Sequence, residues 1–133
     1  MDMLWKWDPK SAVTLLHREH ELLESQWQAL QMAIDHSAEM SLIHEGIVAQ
    51  LMLMRGHFRS EEQFMREVAY PEYEVHRAEH DMFIDAIGRF LVDLPASSPH
   101  WPQTVTCLHA WINQHNGEHD GDLGRFAARL VCS

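Results

Sequence analysis

The chain has 133 residues, of which 46% are hydrophobic and 23% charged, and its formal net charge is −10. This length fits a single domain, residues 1–133, with a sizeable core. The acidic balance and the lack of a basic cluster argue against nucleic acid and anionic membrane surfaces as partners. No apolar run reaches the roughly 20 residues that a membrane span needs. We therefore expect neither nucleic acid nor a membrane as a partner.

The N-terminal residues MDMLWKWDPK contain no basic segment followed by an apolar one, so we expect no signal peptide. Cys107 and Cys132 are too few and too far apart for a disulfide framework. Together these features predict a cytoplasmic protein. The unusual feature of the composition is its 11 histidines.

Apolar residues recur every three or four positions over residues 11–36, which predicts an amphipathic helix. Asp8 and Pro9 fit its start, as the N-cap and the first helical residue. Its inward positions are Val13, Leu16, His20, Leu23, Trp27, Leu30 and Ile34. The same period predicts a second helix over residues 41–67. Its inward positions are Ile43, Ile47, Gln50, Met54, His57, Glu61 and Phe64.

A third helix is predicted to begin at Pro71, and the segment LPASSPHWP separates it from a fourth. The inward positions of the third helix are Tyr73, His76, His80, Phe83, Ile87, Phe90 and Leu94. Those of the fourth are Trp101, Val105, Leu108, Ile112 and His115. A short helical tail is predicted over residues 125–130. The pattern predicts an all-α fold, an antiparallel up-down-up-down four-helix bundle with an N-terminal extension and a short C-terminal helix.

Each of the four helices carries at least one histidine on the face that should be buried. The polar residues on these faces that are candidate ligands are His20, His57, Glu61, His76, His80 and His115. An unsatisfied buried polar group costs about 1–3 kcal/mol, so the set needs a common partner, and a metal is the simplest one. The absence of cysteine from the set disfavours a structural zinc site, whereas imidazole with carboxylate suits iron, zinc, copper or manganese. More than four donors indicate two metal ions.

The arrangement of these residues along the chain resembles the hemerythrin family. The motifs are His57-Phe58-Arg59-Ser60-Glu61-Glu62, His76-x-x-Glu79-His80, Trp111-Ile112-x-x-His115 with Asp120, and Glu19-His20 on the first helix. The resemblance implies a non-haem centre of two iron ions bridged by a solvent-derived oxygen. It implies that His76, His80 and His115 hold one iron and that His20 and His57 hold the other. By the same resemblance, Glu61 and Asp120 bridge the two ions.

The resemblance implies reversible O2 binding, in an oxygen carrier, an oxygen store or an oxygen or redox sensor, rather than an enzyme. The alternative on the same scaffold is a di-iron oxidase, peroxidase or nitric oxide reductase. A bundle loaded with zinc is a third interpretation. Both a free-standing protein and the input domain of a longer chain fit the sequence, so a C-terminal signalling domain and a redox partner are candidate partners besides O2.

Two positions leave alternatives open. His17 lies three residues before His20, and we favour His20 because the inward face of the first helix passes through it. Five residues of an α-helix rotate by about 500°, so Asp120 would point some 140° away from His115, and Glu118 or His119 would face inward instead. Asp120 reaches the metals only if the last turn widens or breaks, and Gly117 makes a π-like turn less costly.

Ile112 and Asn116 are expected to line the O2 pocket. Asn116 departs from the apolar residue that is common at this place in the resembling family, and its amide predicts a wetter pocket and a shorter-lived oxygenated state. Glu24 is an available hydrogen-bond acceptor beside the centre, but we favour its interpretation as a solvated acid. The remaining histidines at helix ends or off the inward faces, which are His36, His44, His100 and His109, are expected at the surface.

Overall fold

A computed structural model describes residues 9–132, with side chains from 10 to 130. Its helices are α1 (Pro9–Asp35), α2 (Met40–Glu67), α3 (Tyr73–Asp93), α4 (Trp101–His115) and α5 (Gly121–Cys132). A single turn of π-helix, the π turn (Asn116–Asp120), joins α4 to α5. Residues 9–132 contain no strand, and none of their helices is long and apolar enough to cross a membrane. The predicted N-terminal extension and the cap at Asp8 lie outside the described residues.

Neighbouring helices run antiparallel. The Gln50 side-chain amide donates to the Leu23 carbonyl oxygen over 3.0 Å, and the Nδ1 atom of His57 lies 2.9 Å from Glu19. Residue numbers therefore rise along α2 as they fall along α1. Between α2 and α3 the contacts Phe58–Phe83 and Glu62–His80 have the same opposite order, and so do Phe83–Trp111 and His76–His115 between α3 and α4. Along α1, Trp27 contacts His109 of α4, and His20 contacts Asp120 in the π turn that continues α4. The predicted four-helix bundle is confirmed.

Two apolar clusters fill the bundle, one on each side of a polar layer. The larger cluster contains Leu23, Trp27, Leu30, Ile43, Ile47, Met54, Phe58, Phe83, Ile87, Trp101, Val105, Leu108 and Ile112. The smaller cluster contains Phe64, Met65, Tyr70, Leu123 and Ala127, with α5 packed against the first turns of α1. Between them lie the histidines and acids of the inward faces. The polar residues are therefore shielded from water on both sides along the bundle axis.

Two helix boundaries differ from the prediction. The third helix begins at Tyr73 rather than Pro71. Ala69 has a φ of 53°, in the left-handed region, and turns the chain sharply after α2, so that Pro71 and Glu72 belong to the turn. The last helix begins at Gly121 rather than near residue 125, because the backbone widens into the π turn after α4 instead of breaking.

Candidate metal centre

The polar layer brings together all seven residues that were predicted as ligands. They are His20 on α1, His57 and Glu61 on α2, His76 and His80 on α3, His115 on α4, and Asp120 in the π turn. The four-residue spacing places His57 over Glu61 and His76 over His80, each pair on one helix face. Five of the seven side chains are nearly inaccessible to solvent, whereas His20 is 30% exposed.

The seven residues form two overlapping groups. One contains Glu61, His76, His80, His115 and Asp120, and the other contains His20, His57, Glu61 and Asp120. Within each group, the residues offer potential ligand atoms that all lie within 4.8 Å of one another. Glu61 and Asp120 belong to both groups, so the two potential ligand sets share both carboxylates.

The carboxylate of Glu61 divides its two oxygens between the groups. Its Oε1 atom lies 2.9 Å from the Nε2 atom of His80 and 3.3 Å from that of His76. Its Oε2 atom lies 3.1 Å from the Nε2 atom of His57 and 3.3 Å from that of His20. Each oxygen therefore faces a different set of histidines, which is the arrangement of a carboxylate that bridges two cations.

The carboxylate of Asp120 is divided in the same way. Its Oδ1 atom lies 2.9 Å from the Nε2 atom of His76 and 3.2 Å from that of His115. Its Oδ2 atom lies 3.0 Å from the Nε2 atom of His20. Both carboxylates thus lie at the boundary between the groups, each with one oxygen directed to either side.

The π turn is what carries Asp120 into the polar layer. The predicted widening of the helix after His115 is confirmed, because residues 116–120 form a π-helical turn. The structure places neither of the alternatives from regular helical geometry in the two groups. Glu118 is exposed and accepts a hydrogen bond from Gln114 over 3.2 Å, and His119 lies 3.6 Å from Glu79, outside both groups.

The charges of the histidines and acids in the layer depend on their close contacts, which shift the pKa values in the direction opposite to burial. Burial favours neutral histidine, but contacts with Asp120 and Glu61 outweigh it and raise the pKa of His20 to about 10. Burial likewise lowers the pKa of His57, yet contacts with Glu19 and Glu61 raise it to about 9. Burial alone would raise the pKa of Glu61, whereas its histidine contacts hold that pKa well below its ordinary value. The carboxylates therefore stay charged and attract a cation.

The buried atoms at the centre fit a metal rather than each other. The Nε2 atoms of four histidines and one oxygen each of Glu61 and Asp120 form no hydrogen bond with any described residue. These histidines are His57, His76, His80 and His115. Close approach without hydrogen-bond geometry is expected of ligand atoms that converge on a common ion. Imidazole nitrogens and carboxylate oxygens are ligands that iron accepts.

Two acids that received no role in the sequence analysis hold histidine rings from outside the layer. The Nδ1 atom of His57 lies 2.9 Å from Glu19, and that of His80 lies 2.8 Å from Glu62. Ser60 in turn donates to Glu19 over 3.1 Å. Donation from Nδ1 leaves the Nε2 lone pair free for a metal and fixes the ring.

The available signal for these two acids was their position beside a candidate ligand, since Glu19 precedes His20 and Glu62 follows Glu61. Glu24 lies 3.3 Å from His109 and its side chain is 42% exposed, as expected of a solvated acid.

Aromatic rings pack against the histidines from the apolar side. Phe58 stacks on His80 with ring centres 3.8 Å apart and an angle of 7° between the planes. Trp111 lies parallel to the ring of His115, with centres 5.4 Å apart. These contacts restrict rotation of both rings, in addition to the hydrogen bond between His80 and Glu62.

The remaining histidines differ in burial. His17 is exposed, whereas His20 contacts both carboxylates of the layer, so the structure places His20 and not His17 in the cluster. His36 and His100 are exposed, as expected. The expectation of a surface position is only partly met by two others, because His44 packs against Trp101 and His109 stacks on Trp27.

Ile112 and Asn116 lie in the wall of one small cavity beside the two-histidine group. The cavity has a volume of about 10 Å³. Its wall is formed by His20, Leu23, Glu24, Trp27, Met54, His57, Ile112 and Asn116. A larger groove of about 500 Å³ between α1 and α5 also reaches His20, Asp120 and Asn116. The three-histidine group borders two other spaces, one of about 460 Å³ beside His80 and one of about 290 Å³ beside His115.

Comparison with known proteins agrees with the arrangement of the layer. Residues 11–127 match the sequence model of the family described as Hemerythrin, the Hemerythrin HHE cation binding domain. The chain is also similar to a protein named Bacteriohemerythrin from Stenotrophomonas maltophilia (strain R551-3), with 22% identity over 113 residues. The matched segment covers 85% of this chain and 73% of that protein. No solved structure matches the chain.

Proposed function

Because this chain belongs to the hemerythrin family of cation-binding domains, we propose that it binds O2 reversibly at a centre of two iron ions. The role is that of an oxygen carrier, an oxygen store or a sensor of oxygen or redox state. When bound, two ferrous ions supply two electrons and a free coordination position for O2. The observation that carries the proposal is the unequal division of histidines around two shared carboxylates, three on one side and two on the other.

We assign the ligands according to these two groups. His76, His80 and His115 hold one iron, and His20 and His57 hold the other. Glu61 and Asp120 bridge the two iron ions, since each carboxylate directs one oxygen toward one group and its other oxygen toward the second group. The side with two histidines has one protein ligand fewer, so it is the side left open to an incoming molecule.

The small cavity supports the same choice of side. It adjoins His20 and His57, and its volume of about 10 Å³ is that needed by one water-sized molecule. Leu23, Trp27 and Ile112 give it apolar walls that disfavour water. The amide of Asn116 is a polar group in this wall that can donate a hydrogen bond into the cavity.

The spectrum of iron-loaded protein, reduced and then exposed to O2, tests this function. We expect a visible charge-transfer band that appears with O2 and disappears when O2 is removed, together with two iron ions per chain by elemental analysis. His20→Ala should abolish the band and lower the iron content, whereas the exposed neighbour variant His17→Ala should retain both. One metal per chain, or zinc alone after growth with ample iron, would refute the proposal.

A di-iron enzyme is the second candidate, and the groove of about 500 Å³ beside His20 is the observation that favours it. This space is far larger than O2 requires and would admit an organic reductant to the open side. An oxidase, peroxidase or nitric oxide reductase should turn over many substrate molecules per centre. A carrier or sensor should instead give a single stoichiometric response, which a titration with O2, peroxide or nitric oxide distinguishes.

We also propose a cytoplasmic location and one domain over residues 1–133. The support is the sparse use of cysteine, since Cys107 is a free, exposed thiol in the described part of the chain. A redox partner and a C-terminal signalling domain are the proposed protein partners of a sensor.

A further inference from the structure

A third group of potential metal ligands lies on the outer side of His115. It consists of Glu79 on α3, His115 on α4 and His119 in the π turn, with ligand atoms within 4.8 Å of one another. These residues line a cavity of about 290 Å³ together with Trp111, Gln114 and Glu118. The cavity is separate from both spaces beside His20, and the proposed O2 site does not use it.

His115 lines this cavity, and its ring has an unpaired nitrogen atom besides the one that faces Asp120. Its Nε2 atom faces the polar layer, 3.2 Å from Asp120. Its Nδ1 atom is buried and has no hydrogen-bond partner among the described residues, although the residue is only 2% exposed. The corresponding atoms of His57 and His80 are paired with Glu19 and Glu62. His115 therefore lacks the outer partner that two other histidines of the layer have.

The spacing between Glu79 and His119 is unsuited to a direct hydrogen bond. Their nearest oxygen and nitrogen atoms are 3.6 Å apart, against 2.8 Å between His80 and Glu62. Two ligands that each lie about 2.0–2.1 Å from a tetrahedral zinc ion are about 3.4 Å from one another. The observed spacing is thus close to that of two ligands on one ion, and both side chains are partly exposed at the cavity mouth.

We propose that Glu79, His119 and the Nδ1 atom of His115 form a third cation site, for a divalent transition metal of the zinc type. Two imidazoles and one carboxylate are a donor set that this class of ion prefers, with water in the remaining position. When Nε2 of His115 is already occupied by a metal, the Nδ1 proton is released to solvent as the outer ion binds. The ion ties α3 to the π turn and so stabilises the turn that holds Asp120 in the polar layer.

Titration of the iron-loaded protein with Zn²⁺ tests this site. We expect one further Zn²⁺ per chain by calorimetry and elemental analysis, unchanged iron content and a higher melting temperature. Glu79→Gln and His119→Gln should each weaken Zn²⁺ binding at least tenfold while the iron content stays the same. His109→Gln is the matched control, because His109 also pairs with a glutamate, Glu24, at the bundle surface.

Three results would overturn the proposal. The first is the absence of an additional Zn²⁺ equivalent. The second is equal weakening in His109→Gln and His119→Gln, which would show non-specific binding to surface histidines. The third is loss of iron in Glu79→Gln, which would make Glu79 a positioning residue for the inner centre. Iron content and the response to O2 are measured separately, so failure of the O2 proposal is distinguishable from failure of this one.

Discussion

The polar layer and the larger apolar cluster are built on the same helix faces with opposite composition. On α2, Ile43 and Ile47 are four residues apart and fully buried, and so are His57 and Glu61 further along the same face. The isoleucines need only close packing, whereas the polar pair needs partners for every nitrogen and oxygen. Spacing therefore determines where a residue lies in the bundle, and its chemistry determines what else the bundle must bind.

Gln50 sharpens this comparison because it is a polar residue within the apolar half. It is 1% exposed, and its side-chain amide donates to the carbonyl oxygen of Leu23. No potential metal-ligand group of the described residues includes it. Its Oε1 atom has no hydrogen-bond partner among the described residues. A single buried polar side chain is thus tolerated with one backbone contact and one unpaired atom, whereas the convergence of several from four helices is relieved by a shared ion.

The largest expected effect is from His76→Ala, which removes a ligand from the polar layer. We expect loss of iron and a decrease of about 3–5 kcal/mol in the free energy of unfolding, because the buried carboxylates lose a compensating partner. Iron analysis and urea denaturation measure the two effects. Retention of two iron ions per chain would show that His76 is not a ligand.

Ile47→Ala tests the apolar half by the same measurements. We expect a loss of about 2–5 kcal/mol from the cavity that replaces a fully buried side chain. The iron content should stay at two per chain, since Ile47 belongs to the larger apolar cluster and to neither ligand group. Parallel loss of iron and stability would mean that the two halves do not behave as separable regions.

Glu19→Gln should act on the polar layer without removing a ligand. The amide is a weaker acceptor for the Nδ1 atom of His57, so we expect about 10–100-fold weaker iron binding on the two-histidine side. Competition with a chelator measures this affinity. The exposed Glu21, two residues along α1, supplies the control, and equal effects of Glu21→Gln would attribute the change to net charge alone.

Asn116→Ile concerns the boundary between the two regions and has the smallest expected effect. It replaces an amide in the cavity wall by an apolar side chain of similar size and removes a hydrogen-bond donor. We expect the coloured form obtained with O2 to decay about tenfold more slowly, which corresponds to about 1.4 kcal/mol in the barrier. Stopped-flow absorbance follows the decay, and unchanged rates would show that the amide has no part in it.

The helical period was sufficient to predict the bundle and six residues of the polar layer, whereas Asp120 was predicted there only from the resemblance to the hemerythrin family. The inward faces include His57 and Glu61 at the positions that the structure buries, because one period governs the whole of α2. A regular helix would direct Asp120 away from the face that carries His115, so its predicted place among the ligands required the helix to widen after His115.

The outer partners of the histidines were not predictable in the same way. Glu19 and Glu62 lie near the edge of the inward faces, and their pairing with His57 and His80 depends on how neighbouring helices are rotated about their axes. The gap between Glu79 and His119 depends on the π turn as well as on helix packing. The start of α3 was missed because the left-handed conformation of Ala69 is unusual for a residue other than glycine.

The π turn also makes α4 and α5 one continuous rod with a single inserted residue. Deletion of one residue there, such as Gly117, would restore the ordinary helical phase and rotate everything beyond it by about 100°. That rotation would turn Asp120 out of the polar layer and, in the same movement, turn Leu123 and Ala127 away from the smaller apolar cluster. An insertion or deletion in this turn would therefore impair both metal binding and the packing of the C-terminal helix, and selection would act against it on both grounds.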